Sequence, residues 1–356
     1  MSKSAKPTAL NRETQIGVLL INLGTPRSPN PRDVKRYLNE FLTDKYVIDL
    51  PWLLRQCLVR GIIVPRRYRA SAELYRSIWT TQGSPLLTYG HALENALQQS
   101  LGDRFCVRLA MRYQKPSLQE ALRFLATRAL SSVVVLPLFP QFSTATTGSI
   151  EHALFKHARA YPHLPKMTMI KNYPTHPGFI NALCAQAARI PLNAFDRVLI
   201  SYHGLPERQL KKVDPSGLCL NSSQCCQTLS KANRYCYAAQ CHATTRALVG
   251  ALGLTPHQYR HCYQSRLGRA AWLRPYTSDI IIEEAQRGAK KLAVFCPSFV
   301  ADCLETLSEI RCEYRALFLE HGGEELDLIE APNTHPLWVA ALKKMTLESV
   351  VQKNHP

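Results

Sequence analysis

The sequence has no run of about 18 apolar residues, the length a bilayer-crossing helix needs, so no membrane-spanning segment is expected. Its first 15 residues are polar and lack the apolar core of a secretory signal. An oxidising compartment, and with it a disulfide framework, is therefore not expected despite twelve cysteines. Zinc-finger spacing, an RNA-recognition signature and long Lys/Arg runs are all missing, which argues against nucleic acid as a partner. Acidic side chains are scarce: 26 Asp and Glu stand against 44 Lys and Arg, a net charge of +18. Such an excess favours anionic partners, here an acidic small molecule or an acidic lipid surface. There is no low-complexity tract and no repeat between the two halves.

What is present suits a globular protein of about two domains: 356 residues, 46% of them hydrophobic. Short apolar runs predict eight buried strands, at 16–23, 106–110, 132–138, 167–170, 197–202, 261–264, 292–296 and 326–329. Helical spacing lies between most of them, at 31–42, 118–130, 150–160, 243–252 and 302–319. The alternation predicts an α/β architecture with parallel sheets. Uneven spacing favours two four-stranded halves over a barrel, with a break near the Pro174, Pro177, Gly178 cluster.

In open α/β sheets functional residues collect at the carboxyl ends of strands. That rule flags Asn22–Pro26, Pro140–Thr144, His203 and Cys296–Phe299. His203 follows a buried strand and precedes Gly204 and Pro206, so it sits on a tight turn. A neutral imidazole there can bind a metal or accept a proton; it can equally cap the next helix. Asp302 and Glu305 are expected to open a helix and share one face. Such acids either compensate the helix dipole or face His203 across a cleft. Residues Tyr263–Gly268, with Trp272 and Tyr276, form an aromatic strip suited to a flat ligand or to the core. Segment 46–67 mixes apolar residues with Arg55, Arg60, Arg66 and Arg67. It is either an amphipathic helix on the core or a basic, apolar lip resting on a membrane.

Five cysteines crowd together: Cys219, Cys225, Cys226, Cys236 and Cys241. The other seven are scattered and are expected to be small buried hydrophobes.

Several ordered motifs resemble the ferrochelatase family. They are LINLGTP (20–26), IWTTQGSPL (78–86), MRYQKP (111–116), LPLFPQFSTATTG (136–148), LISYHGLPERQLKKVD (199–214), QSRLGRAAWLRPYT (264–277) and CPSFVADCLETLSEI (296–310). They run in order across nearly the whole chain.

The resemblance implies two Rossmann-like domains, each a four-stranded parallel sheet flanked by helices, as in class II chelatases. It implies a polar tail at 1–14, an N-terminal domain at 15–174 with the lip at 46–67, a C-terminal domain at 175–335 with a cysteine-rich insertion at 216–236, and a terminal helix and tail at 336–356. It implies insertion of Fe2+, a substrate, into protoporphyrin IX in a cytoplasmic enzyme, possible peripheral contact with the inner membrane included. It assigns iron binding and proton removal to His203 and Glu305, with Asp302 beside them in an acidic path. It places Leu23, Tyr113, Ser265, Trp272 and Phe299 along the macrocycle. Arg112 and Lys115 are near the cleft by motif position.

Relatives from Gram-positive bacteria that metallate coproporphyrin carry Tyr where this chain has Leu23, which favours protoporphyrin. Coproporphyrin III remains an alternative substrate. A cobalt or nickel chelatase would carry a second histidine where Glu305 stands, and a non-catalytic tetrapyrrole binder would not need both His203 and Glu305. Some family members hold a 2Fe–2S cluster. The animal arrangement is absent here, since Thr144 stands at its first ligand position and no cysteine follows Leu337. The insertion instead resembles a bacterial type in which Cys219, Cys225, Cys226 and Cys236 hold the cluster, with Cys241 a spare; zinc or no metal are the alternatives.

Overall fold

The computed structural model describes residues 15–351 except 162, 218, 223 and 269. The tail expected at 1–14 lies outside the described residues. The first half runs β1 (Gln15–Gly24), α1 (Pro31–Leu42), α2 (Trp52–Gln56), α3 (Val64–Ile78), α4 (Pro85–Leu101), β2 (Phe105–Tyr113), α5 (Leu118–Ala126), β3 (Leu130–Pro137), α6 (Ser149–Ala158) and β4 (Lys166–Met169). The second runs α7 (Pro177–Ala187), β5 (Arg197–His203), α8 (Glu207–Val213), α9 (Tyr237–Leu252), β6 (Tyr259–Gln264), α10 (Thr277–Gln286), β7 (Lys291–Phe295), α11 (Arg315–Glu320), β8 (Glu325–Leu328) and α12 (Pro336–Val351).

Each half builds one four-stranded sheet, ordered β2-β1-β3-β4 and β6-β5-β7-β8. All pairings are parallel. The expected fold class is therefore observed. β1 and β5 lie between two neighbours and under helices, which is why Ile16–Asn22 and Val198–Tyr202 are continuously buried rather than alternating. Helix starts follow local chemistry. Asn30 caps α1 ahead of Pro31, and Ser117 with Glu120 forms a capping box on α5.

The halves share one core. Val18 and Leu20 of β1 join Ile200 and Tyr202 of β5 and Trp338 of α12 in a single apolar cluster. α12 packs against α7 and α4, so the terminal helix ties the halves together.

Two glycines show how tightly the strand ends pack. A Cβ on Gly24 (φ +118°) would fall 2.0 Å from the Tyr113 carbonyl oxygen, and one on Gly204 would fall 2.8 Å from the Gln264 carbonyl oxygen. Both follow or end the first strand of their sheet and lean on the end of the second.

The segment expected to be an amphipathic helix or a lip opens with turns over residues 46–51 and is helical from Trp52 on, with π-helical turns over Cys57–Ile63 between α2 and α3. Val59 and Val64 are buried against Leu42, while Trp52, Leu53, Leu54 and Ile62 are exposed. Two of the scattered cysteines, Cys57 and Cys312, are exposed rather than buried.

Candidate active site

β5 delivers His203 to its carboxyl end, opposite Gln264 of β6. Its backbone is held on both sides. The N–H donates to Ser298 Oγ (3.3 Å), and the Tyr237 hydroxyl donates to its carbonyl (2.8 Å). The ring Nδ1 lies 2.7 Å from the Gly204 carbonyl oxygen. A carbonyl only accepts, so Nδ1 carries the proton, and the tautomer this selects has its lone pair on Nε2. The helix-cap alternative fails: the N-cap of α8 is Pro206, and no side chain caps the helix.

The following turn is zipped to the aromatic strip. Leu273 N–H donates to Leu205 O (3.0 Å), Glu207 N–H donates to Ala271 O (3.0 Å), and Trp272 bridges Pro206. Trp272 is almost buried, and its indole N–H has no acceptor among the described residues. Phe299 stands beside His203, ring centres 6.3 Å apart.

The acids are not arranged as two residues on one helix face. Asp302 precedes the helix and is 2% exposed. Its Oδ1 accepts from Thr306 Oγ1 (2.9 Å) and its Oδ2 from Asn333 Nδ2 (2.7 Å). Burial raises its pKa above the ordinary carboxylate value although these donors oppose the shift. It organises the loop that launches the helix. Glu305 begins a π-helical stretch, Glu305–Tyr314, that continues into α11. Such wide turns often mark functional sites. Glu305 is half-buried, and its charge raises the pKa of Tyr37 and Tyr75, whose burial is the larger cause. Leu304 packs in the cluster that holds Leu23, Tyr37, Tyr75 and Tyr113, so the start of this helix packs against the first half.

Two further residues join the site that sequence reasoning passed over. Gln264, 1% exposed, receives Gly204 N–H on its backbone carbonyl (2.8 Å) and donates from Nε2 to the Glu305 carbonyl (3.0 Å). It therefore ties the His203 turn to the Glu305 helix. Glu309, one step along that helix, accepts from Ser265 N–H (2.8 Å), Ser265 Oγ (2.5 Å) and Tyr314 OH (2.9 Å). This fixes Ser265 in a left-handed conformation (φ +63°). Both lie inside the motifs quoted above, Gln264 at the start of QSRLGRAAWLRPYT and Glu309 near the end of CPSFVADCLETLSEI, but their partners are set by strand register and packing.

Leu23 is half-buried and packs in the same apolar cluster as Tyr113, which is 1% exposed. The Tyr113 hydroxyl donates to Asp44 Oδ2 (2.9 Å), which also accepts from Ser149 Oγ (2.6 Å) and from Arg112. Tyr113 and Arg112 are thus both committed to Asp44.

The insertion brings thiols together. Cys225 and Cys226 Sγ are 3.2 Å apart, Cys226 and Cys236 Sγ 3.7 Å, and Leu220 N–H donates to Cys225 Sγ (3.1 Å). Cys236 opens α9. The Cys226 hydrogen bond and the first α9 amides lower its pKa to about 7, while Cys226 is raised by the same contact. Burial first, then Cys236 and Cys225, push Cys219 up to about 11. Cys241 is fully buried in α9. Among the described residues, no group of three or more His, Cys, Asp or Glu is disposed as a ready metal cage.

The ferrochelatase family model matches residues 15–350. The chain belongs to the ferrochelatase family. A ferrochelatase of Coxiella burnetii (strain Dugway 5J108-111) is 45% identical over 350 residues, covering 98% of each chain. That of Legionella pneumophila is 42% identical and covers 93% of this chain and 98% of its own. Among solved structures, the sirohydrochlorin chelatase SirB of Bacillus subtilis subspecies spizizenii with cobalt has a TM-score of 0.54 at 10% identity, covering 94% and 95% of the two chains. SirB from Bacillus subtilis with Fe3+ gives 0.53 at 11%. That likeness supports the chelatase fold. This ferrochelatase-family chain is therefore an enzyme that inserts iron into a porphyrin in haem biosynthesis. Among the described residues no helix is long and apolar enough to cross a membrane.

Proposed function

We propose that the porphyrin is protoporphyrin IX and the product protohaem, with His203 and Glu305 carrying the chemistry. The observation that carries this reading is the 2.7 Å contact of His203 Nδ1 with the Gly204 carbonyl: with Nδ1–H spent there, Nε2 is the ring nitrogen left for metal or proton. Insertion requires two pyrrole protons to leave as iron enters. Nε2 of His203 meets the metal or takes a proton, and the Glu305 carboxylate takes protons and offsets the cation's charge. Asp302 acts through position, setting the loop from which Glu305 emerges. Leu23, Trp272 and Phe299 form the apolar wall that holds a ring away from planarity, Tyr113 packs in the cluster with Leu23, and Ser265 is oriented by Glu309. The strain is offset by binding energy elsewhere on the substrate.

The contiguous exposed residues Trp52, Leu53 and Leu54, with Ile62 and nearby arginines, suit a lip on the cytoplasmic face of the inner membrane that accepts an oily porphyrin. This and the apolar Leu23 favour protoporphyrin over coproporphyrin III. A metallation assay comparing the two tests it: faster haem formation from protoporphyrin is expected, and a coproporphyrin preference contradicts the reading.

Cys219, Cys225, Cys226 and Cys236 are the residues that would hold a 2Fe–2S cluster. The convergence of three soft thiol donors, Cys225, Cys226 and Cys236, and the N–H directed at Cys225 support this. Cysteine ligation by these four residues would cross-link the loop to the start of α9. Visible absorbance with stoichiometric iron in anaerobically prepared protein is expected; colourless protein with stoichiometric zinc contradicts it.

A further inference from the structure

A second polar cavity lies away from the His203 turn, within the first half. It has a volume of about 230 Å3 and opens between the end of α1, α2, the end of β2 and α6. Its walls carry Lys45, Arg55, Arg112, Lys156, His152 and His157. Two acids, Glu40 and Asp44, also line it. Asp44 is already consumed: it accepts from Arg112, Tyr113, Ser149 and the Tyr46 N–H (2.8 Å). Glu40 is turned to Gln114.

Arg55 is the unusual member. It is 7% exposed, yet its guanidinium is met only by carbonyls: Nε donates to Thr43 O (2.8 Å) and Nη1 to Leu50 O (2.5 Å). No carboxylate pairs with it among the described residues. A buried guanidinium offers five N–H donors and keeps its charge, so a buried one without a counter-ion is costly. Arg55 also lines the cavity.

The histidines report the same field. Burial lowers both pKa values, and the cations add to it: Lys45, Arg112 and Lys156 act on His152, Lys156 and Arg112 on His157, with Asp44 opposing at His152.

We propose that this cavity binds a phosphate-class oxyanion, held by Arg55, Lys45 and Lys156. Two lysines, an unpaired arginine and two imidazoles exceed what one carboxylate uses and match a dianion with several acceptor oxygens. At about 30 Å3 per water, the volume holds a phosphate group and a few waters. Arg55 sits on α2, next in the chain to the exposed Leu54, so the anion's source is either a free phosphate or the headgroup of a lipid beneath the lip.

The test is a titration of the full-length protein with inorganic phosphate, read by imidazole NMR of His152 and His157, assigned with His152→Gln and His157→Gln. Saturable shifts that raise both pKa values are expected, competed by sulfate and not by chloride. The double variant Lys45→Gln/Lys156→Gln should weaken binding at least about tenfold while folding normally, since both lysines are exposed. Arg55→Gln should weaken it further, but Arg55 also braces two carbonyls, so the lysine pair is the deciding variant. No saturation by about 20 mM, well past millimolar affinity, or an unchanged titration in the double variant, overturns the proposal. Displacement of phosphate by stoichiometric protoporphyrin also overturns it, making the cavity a propionate subsite. Sedimentation with phosphatidylglycerol vesicles that phosphate inhibits and the double variant loses supports a lipid source; phosphate binding indifferent to such vesicles supports a free one.

Discussion

The two halves of the molecule use the same scaffold to different ends. Each orders its strands second-first-third-fourth, and each packs a glycine at the first strand's end against the last carbonyl of the second. Each follows its second strand with a left-handed residue, Gln114 (φ +66°) and Ser265 (φ +63°). Each follows its third strand with π-helical turns, Thr144–Gly148 and Glu305–Tyr314. The polar groups at these ends differ. In the first half Asp44, Arg112, Tyr113 and Ser149 satisfy one another. In the second, His203 spends only one ring nitrogen, and the Glu305 side chain is met by the Cys303 thiol, a weak donor whose own pKa burial and the Glu305 charge raise. Repeating a scaffold does not repeat chemistry. Chemistry sits where donors and acceptors are left uncommitted.

That contrast can be broken from either side. The largest effect is expected in the second half: Glu305→Gln should lower kcat by about a hundredfold to ten-thousandfold, the range for a removed acid–base group, with thermal stability little changed. Steady-state metallation with a melting curve checks both parts.

In the first half, Asp44→Asn should act on stability instead. Burial favours the neutral acid, but Ser149, the Tyr46 N–H, Arg112 and Tyr113 outweigh it and hold the Asp44 pKa below its ordinary value. A carboxylate with a lowered folded pKa adds stability that is present above its unfolded pKa, near 3.8, and lost as pH falls through the lower folded value. The variant should lose about 3 kcal/mol near neutral pH, the scale of an Arg112 left unpaired. Its acid-unfolding profile below about pH 4 should be flatter than that of the parent. Denaturant titrations across pH measure this; identical pH slopes would contradict it.

A smaller effect is expected at Tyr237, which links the thiol loop to the second half's site. Its hydroxyl donates to the His203 carbonyl and meets Ser298 Oγ at 3.0 Å, and it follows Cys236 in the chain. Tyr237→Phe removes about 1 kcal/mol of positioning, so kcat should fall up to about tenfold with porphyrin KM unchanged and the kcat pH profile displaced. A change confined to stability would make Tyr237 merely structural.

Much of this was legible beforehand. The eight strands announce themselves because parallel strands buried on both faces leave uninterrupted apolar runs, and His203 follows from the strand-end rule. The acids were less legible. Asp302 and Glu305 look like an i, i+3 pair only if the helix is an α-helix starting at Asp302, and the π-helical start at Glu305 carries no pattern of its own. Gln264, Tyr237 and Asp44 act through partners 41, 34 and 69 residues away, contacts that register and packing create and local spacing does not show. Tyr113 and Trp272 look alike as aromatic motif residues, yet one is sealed in the cluster with Leu23 and the other braces the His203 turn.

The most direct test of the account is His203→Ala, assayed for iron insertion into protoporphyrin and, on the same sample, for porphyrin binding by fluorescence quenching. Porphyrin binding close to the parent with no haem absorption band is the expected result. Haem formation at the parent's rate would contradict the placement of the chemistry at the end of β5.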